Sequence, residues 1–373
     1  MSGRISRLYH GETTVDFFGR RRLGFAVSGI LLAVFVVSLV LQGLNLGIDF
    51  KGGVAFEIPG GKSMSVDIAR EVLAAEKINV DAAKIQTLSS GANEKVRIQL
   101  GELEPAVQDS LKSALEKRSG DAVSVASVSS SWGRNITTRA VQALAVFLIL
   151  VSGFIAFRFE WRMAVGALSA VIHDVVMSVG VYSALGLEVT PATVVAFLTI
   201  LGYSLYDTIV VFDKVDDNVS RFSGARVSYG DILNVSMNQV LMRSLNTSIS
   251  SVLPVLSLYV LGSVVFGAVA LRDFSVALIV GLTTGAYSSI FIAAPVLGVL
   301  RERSPEYAAT KGQLSKGMAM SALMSTGAPA SRRARREHAG QTETVSGDAS
   351  PTEVAAVEAL LSHPPRPRRK SRR

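Results

Sequence analysis

The sequence predicts a polytopic α-helical membrane protein with six transmembrane helices and one extracytoplasmic α+β domain. Three observations predict this class. Charged residues make up only 18% of the 373 residues, against about a quarter in soluble domains. The apolar residues gather into six long runs, at Leu23 to Leu44, Ala140 to Phe157, Met163 to Leu187, Pro191 to Phe212, Leu245 to Phe266 and Phe274 to Leu300; a bilayer core needs about 20 such residues per helix. One hydrophilic stretch of domain size separates the first run from the second.

These observations divide the chain into a cytoplasmic segment 1–22, a first helix 23–44, an outer domain 45–139, helices two to six within 140–300 with a cytoplasmic loop 213–243, and a tail 301–373. The first run exceeds a typical signal core and is followed by Gly47-Ile48-Asp49-Phe50 rather than by a small-residue cleavage site, so it is expected to stay attached as a span. Lysine and arginine of short loops collect on the cytoplasmic side. Here they sit at Arg20 to Arg22, at Arg158 and Arg162, at Lys214, Arg221 and Arg226, and in the tail. Both termini are therefore expected in the cytoplasm.

Within the hydrophilic stretch, apolar-rich runs at Gly53 to Ile58, Lys84 to Ser89, Lys95 to Leu100 and Ala122 to Val128 predict strands. Amphipathic patterns at Val66 to Glu76 and Glu104 to Arg118 predict helices. The order βαββαβ suggests a ferredoxin-like two-layer sandwich, with turns at Gly60-Gly61 and Gly91-Ala92-Asn93. Gly61-Lys62-Ser63 is no phosphate loop, because Phe56 stands where that loop needs its first glycine.

The net charge of +8 belongs to the tail: residues 301–373 carry 14 Lys+Arg and 7 Asp+Glu. Rich in Ala, Ser, Pro and Arg, this tail is expected to be mostly disordered and drawn to anionic lipid. No aromatic residue lies within its basic clusters to stack bases, so no specific nucleic acid is expected. With zero cysteines and four histidines, disulfides, thiolate chemistry and a histidine-rich metal site drop out, and no cofactor is expected.

A charge in the middle of a membrane helix costs about 3 kcal/mol on insertion scales, so each one is a functional candidate. Asp207 lies inside the fourth run and Asp174, after His173, near the centre of the third; Arg243 opens the fifth. At 1.5 Å per residue, Asp207 lies roughly 8 to 9 Å above the cytoplasmic end and Asp174 roughly 16 to 17 Å. Arg243 enters from the side nearer Asp207, so an Asp207–Arg243 ion pair in the inner half is expected. Hydrocarbon favours the neutral acid and a guanidinium the anion; a group balanced between them can exchange a proton, as a proton relay requires. In the sixth run Gly281, Gly285, Ser288 and Ser289 form a small-residue face for close helix contact, and Pro254 and Pro295 are candidate kinks.

Three separated motifs carry a resemblance. They are Gly47-Ile48-Asp49-Phe50-Lys51-Gly52-Gly53 after the first run; Gly202-Tyr203-Ser204 leading to Asp207-Thr208 and Val210-Val211-Phe212-Asp213 in the fourth; and Tyr287-Ser288-Ser289-Ile290-Phe291 in the sixth. In combination, over about residues 16 to 300, they resemble the SecF family of bacterial protein-export membrane subunits, within the SecD/SecF group of the resistance-nodulation-division (RND) superfamily. The resemblance implies a six-helix half of an RND-type permease that pairs with SecD and works beside the SecYEG channel, the SecA motor and YajC. It implies a proton-driven, non-enzymatic role in moving a preprotein across the bacterial cell membrane. It also carries proton movement onto Asp207 and onto Arg243 of Asn238-Gln239-Val240-Leu241-Met242-Arg243-Ser244. Tyr206 departs from the family, where asparagine is more usual. Two rival readings are a proton-driven exporter of small solutes or lipids, and an intramembrane aspartyl protease built on Asp174 and Asp207. The height difference of about 8 Å argues against the second.

Overall fold

The computed structural model describes residues 13–60, 64–90, 93–223, 225–265 and 268–326. Among them six helices are long and apolar enough to cross a membrane. The first, α1 (Arg21–Gln42), leads through β1 (Asn45–Leu46) and the short α2 (Ile48–Lys51) into the α+β domain. That domain runs β2 (Gly53–Pro59), α3 (Val66–Ala75), β3 (Lys84–Ser90), β4 (Asn93–Leu100), α4 (Pro105–Ser119) and β5 (Ser124–Val128). The chain then enters α5 (Ser130–Arg158), α6 (Trp161–Ala184), β6 (Glu188–Val189), α7 (Pro191–Arg221) and α8 (Tyr229–Leu258). The last spanning helix comprises α9 (Val269–Ser288), a π-helical turn (Ser289–Ala293) and α10 (Ala294–Arg301); α11 (Met318–Thr326) follows.

The domain has the expected order of elements, and its antiparallel sheet has the strand order β3-β4-β2-β5 of a ferredoxin-like sandwich. Period-two alternation sorts the two faces. Val54, Phe56 and Ile58 of β2 lie opposite Leu100, Ile98 and Val96 of β4, and these pack on Leu73, Leu111 and Leu115 of α3 and α4. Residues of the other phase, Glu57, Arg97, Gln99 and Lys84, form the opposite face. Gly61 and Gly91-Ala92, named above in the two turns, lie outside the described residues, as do Lys62 and Ser63.

Helix starts follow local chemistry. The Thr190 hydroxyl accepts from Thr193 N at 3.4 Å and Thr193 Oγ1 accepts from Thr190 N at 3.0 Å, with Pro191 at the first helical position of α7. At the starts of α5 and α8 the Ser129 and Ser228 hydroxyls accept from Trp132 N and Asp231 N. These caps correct two boundaries. Helix α5 begins at Ser130 rather than near Ala140, and the loop expected at 213–243 shrinks to a short turn, because α7 runs on to Arg221 and α8 starts at Tyr229. At about 46 Å, α7 outruns a hydrocarbon core of roughly 30 Å, so its last turns project beyond it.

The projecting ends pack as a soluble protein does. Ile232, Leu233 and Val235 of α8 are buried with Phe17, Phe18, Tyr307, Met320 and Leu323. Asn234 and Asn238, one turn apart and wholly buried, grip the segment before α1. Asn238 Oδ1 accepts from Val15 N at 2.9 Å while its Nδ2 donates to Val15 O at 2.8 Å, and Asn234 Oδ1 accepts from Phe18 N at 2.8 Å. The start of the tail is likewise packed, which corrects the expectation of disorder from 301 onward: Ser315 donates through N and Oγ to the Asp231 carboxylate at 2.6 and 3.0 Å, and α11 lies against α8. The basic clusters beyond residue 326 lie outside the described residues.

Candidate functional site

Two polar centres stand out, one inside the bundle and one where the domain meets it. In the bundle, α6 is flanked by α1, α7 and α9. Asp174 of α6 has no solvent exposure. Its Oδ2 accepts from Ser204 Oγ of α7 at 2.5 Å and from Ser288 Oγ of α9 at 2.8 Å, and its Oδ1 lies 3.1 Å from His173 Nδ1. Asp207, one turn further along α7, is half-buried; both its oxygens lie 2.5 Å from Ser244 Oγ of α8. Of the neighbouring serines, Ser288 reaches Asp174, whereas Ser289 donates to the Gly285 carbonyl at 2.7 Å. Their backbone enters the π turn that precedes Pro295, whose ring would crowd the Phe291 carbonyl in a regular α-helix.

The expected Asp207–Arg243 ion pair is not formed. Arg243 is exposed and donates through its guanidinium to Tyr206 Oη at 3.3 Å, staying within electrostatic reach of Asp207. Ser244, one residue on, takes the contact. Tyr206 gains a partner that its departure from the family left unassigned. The height difference also shrinks: Ser204 bonds Asp174 and lies three residues from Asp207, so the acids differ by about 4.5 Å along α7. No hydrogen bond joins the two carboxylates among the described residues, so an aspartyl dyad is not assembled.

Other predicted residues fall into place around this centre. Gly285 lies against Ser204, where an added Cβ would come within 2.9 Å of the serine Cβ, and Gly281 lies against Ile200. Thr208 is buried with its hydroxyl unpartnered among the described residues. Gly202 and Tyr203 are exposed, and Tyr203 lines a cleft with Tyr206, Asp207, Thr247 and Ser251 that opens beside the site. Asp213 lies apart, in an exposed 3.4 Å ion pair with Arg158. Among the described residues no cluster of three or more histidine, aspartate or glutamate side chains could hold a metal ion.

The second centre was not singled out from the sequence. β1 and β6 pair in parallel, Asn45 with Glu188 and Leu46 with Val189, which brings the α6–α7 connection beside the entry to the domain. Glu188 is buried there: Gln99 Nε2 donates to both its oxygens at 2.9 Å and Arg97 to Oε2 at 3.2 Å, while Arg97 also bridges Glu57 at 3.0 Å. Lys84 Nζ donates to Asn45 Oδ1. The polar face of the sheet is thus a docking face. Its signal in the sequence was the unusual row of charged and amide residues on one phase of β2 and β4. Burial pushes the Asp49 carboxyl above the usual carboxylate range, with the Glu188 charge adding to it. Burial likewise pulls the Lys84 ammonium down. Gly52 and Gly53 sit at φ +78° and +128°, and a Cβ on Gly52 would come within 2.6 Å of Ser130 Cα at the start of α5. Glycine there lets the domain sit tight against α5.

The comparisons with known proteins agree with this geometry. The family described as protein export membrane protein SecD/SecF, C-terminal, matches residues 107–303, and the SecD/SecF GG motif matches residues 37–63. The protein translocase subunit SecF of Streptomyces coelicolor is 41% identical over 310 residues, 82% of each chain. That of Rhodothermus marinus is 33% identical over 77% of this chain and 94% of its own. The crystal structure of SecDF from Thermus thermophilus, a translocon-associated membrane protein, superposes with a TM-score of 0.71 at 32% identity over 79% of this chain. This chain spans only 39% of that one. With six bilayer-length helices, a ferredoxin-like domain seated on a glycine pair, and these relatives over most of its length, the chain is a multi-pass membrane protein that belongs to the SecD/SecF family, on its SecF branch.

Proposed function

We propose that the chain is the accessory subunit of the Sec protein translocase that uses the proton motive force to promote preprotein translocation, acting without covalent chemistry. One observation carries this reading: of two membrane-embedded carboxylates, Asp207 is held by a serine hydroxyl and Asp174 by two serine hydroxyls and an imidazole. A hydroxyl can donate to a carboxylate or accept from a carboxylic acid, so such a shell suits either protonation state. One charge moved through the membrane potential releases about 2.3 kcal/mol per 100 mV, enough to shift a helix bundle between states a few kcal/mol apart. Asp207, Arg243 and Asp174 are the residues assigned to this relay.

The relatives named above are translocase subunits rather than exporters, which favours this reading over solute or lipid export. A SecD-type six-helix partner is assigned to the side of α7 and α8 where Tyr203, Tyr206, Asn246 and Ser250 leave polar groups exposed on membrane helices. A solved SecDF relative of greater length supports such a pairing. SecYEG, SecA and YajC are the wider assembly in which the pair is placed, with the α+β domain on the extracytoplasmic face of the bacterial cell membrane, both termini inside, and anionic lipid beside the tail. The charge distribution of the loops supports that orientation. Asp207→Asn is expected to abolish proton-dependent stimulation of preprotein translocation into membrane vesicles while leaving the complex assembled. Normal stimulation in that variant would refute the mechanism.

A further inference from the structure

His173 precedes Asp174 on α6 and is 3% exposed. Its Nδ1 meets Asp174 Oδ1, whereas its Nε2 is buried with no partner among the described residues. The ring lies tilted against Tyr287 of α9, centroids 5.9 Å apart. Tyr287 in turn stacks on Phe291 and donates to the Gly24 carbonyl of α1 at 3.1 Å, with Ser28 Oγ 3.0 Å away.

The tautomer follows from the partner. An ionised Asp174 accepts a proton-bearing Nδ1, which leaves the lone pair on Nε2. Hydrocarbon penalises the single negative charge that results, and few groups are placed to offset it. On α7 the nearest charged residue is Asp207, one turn from Ser204, and Asp213, Lys214, Asp216, Asp217 and Arg221 lie toward its end; α9 presents the Tyr287 phenol, its charged residues Arg272 and Asp273 lying near its start. Helices α1, α5 and α10 carry charged residues only away from this level: Arg21 and Arg22; Arg134, Arg139 and Arg158; and Arg301. Arg243 of α8 is engaged by Tyr206.

We propose that His173 and Asp174 form one proton-holding unit, in which His173 Nε2 takes up the proton and the pair passes from a net charge of minus one to a neutral imidazolium–carboxylate pair. The proton adds to the Nε2 lone pair, no other bond changes, and Ser204 and Ser288 keep donating to Asp174 throughout. This extends the relay to a residue that the translocase reading does not use, and it rests on that reading.

His173→Asn tests it. Asparagine can keep an N–H donor toward Asp174, in the place of Nδ1, but cannot titrate. In vesicles containing the full complex, the variant is expected to assemble and to lose most proton-dependent stimulation, with the remainder lacking the acid limb of the wild-type pH profile. Wild-type stimulation with an unchanged profile would overturn the proposal. Asp207→Asn in parallel separates the two claims: if it keeps stimulation the bundle reading fails, and if it alone loses stimulation only the role of His173 fails. Should His173→Asn not assemble, ¹⁵N resonance of the wild-type imidazoles decides. The His173 signal, assigned by selective labelling, is expected to change protonation state when a proton gradient is imposed across the vesicles; a signal fixed in one state with and without the gradient overturns the proposal.

Discussion

Glu188 and Asp174 are both buried acids that tie separate parts of the molecule together, yet they are held by opposite chemistry. Glu188 is met by a guanidinium and an amide, groups that only donate at the atoms used, so its environment is satisfied by the anion alone. Asp174 is met by two hydroxyls and an imidazole, each able to reverse its role. The first arrangement fixes a joint between domain and bundle. The second surrounds the acid with groups that suit either protonation state. Position in the fold matches: Glu188 sits on the short connection between α6 and α7, the helices that carry Asp174 and Asp207, and bonds that connection to the sheet of the domain.

This contrast can be broken from the fixed side first. Arg97→Ala leaves Glu57 and Glu188 without their shared cation and is expected to lower stability by about 3 kcal/mol, read as the thermal unfolding midpoint of the solubilised complex. Adding Glu188→Gln is expected to recover part of that loss; strictly additive effects would mean the two groups do not form a joint. A smaller effect is expected in the bundle. Ser204→Ala still leaves Asp174 with Ser288 and His173, and costs about 1 to 2 kcal/mol, with recovery in Ser204→Thr. A loss as large as that of Arg97→Ala would place Asp174 among the fixed charges.

The smallest expected effect is at Asp49, whose raised pKa comes first from burial and then from Glu188. The folded chain holds this proton more tightly than the unfolded one. Its contribution to stability is therefore full below the ordinary carboxylate pKa and is lost as pH rises through the raised value. Asp49→Asn is expected to raise the unfolding midpoint at neutral pH by at most about 2 °C. The gain is expected to vanish below about pH 4; a gain that persists there would sink the electrostatic explanation.

Much of this architecture was legible beforehand, for a physical reason. Length and apolarity identify a bilayer-crossing helix almost without regard to its neighbours, and period-two alternation with turn residues identifies a small sandwich. Depth was partly legible too, but azimuth was not. Arg243 and Ser244 stand at nearly the same height and point about 100° apart, and only the packing of α8 against α7 decides that the serine meets Asp207. The same blindness made Ser288 read as a packing residue, when it also donates to Asp174. The polar stretch around residues 213–243 read as a loop because hydropathy marks where hydrocarbon ends, not where a capped helix does. Glu188 went unnoticed because its partners lie 89 and 91 residues away.

The asparagine grip on the segment before α1 has a consequence for biogenesis. Val15 and Asn238 are 223 residues apart in the chain. At synthesis rates of about 5 to 20 residues per second, the leading segment waits roughly 10 to 45 s after it is made before its receptor on α8 exists. The segment before α1 thus finds its receptor only when the fifth span is in place, after α1 itself has been able to pack on α6, so this grip forms later than the helix contact beside it.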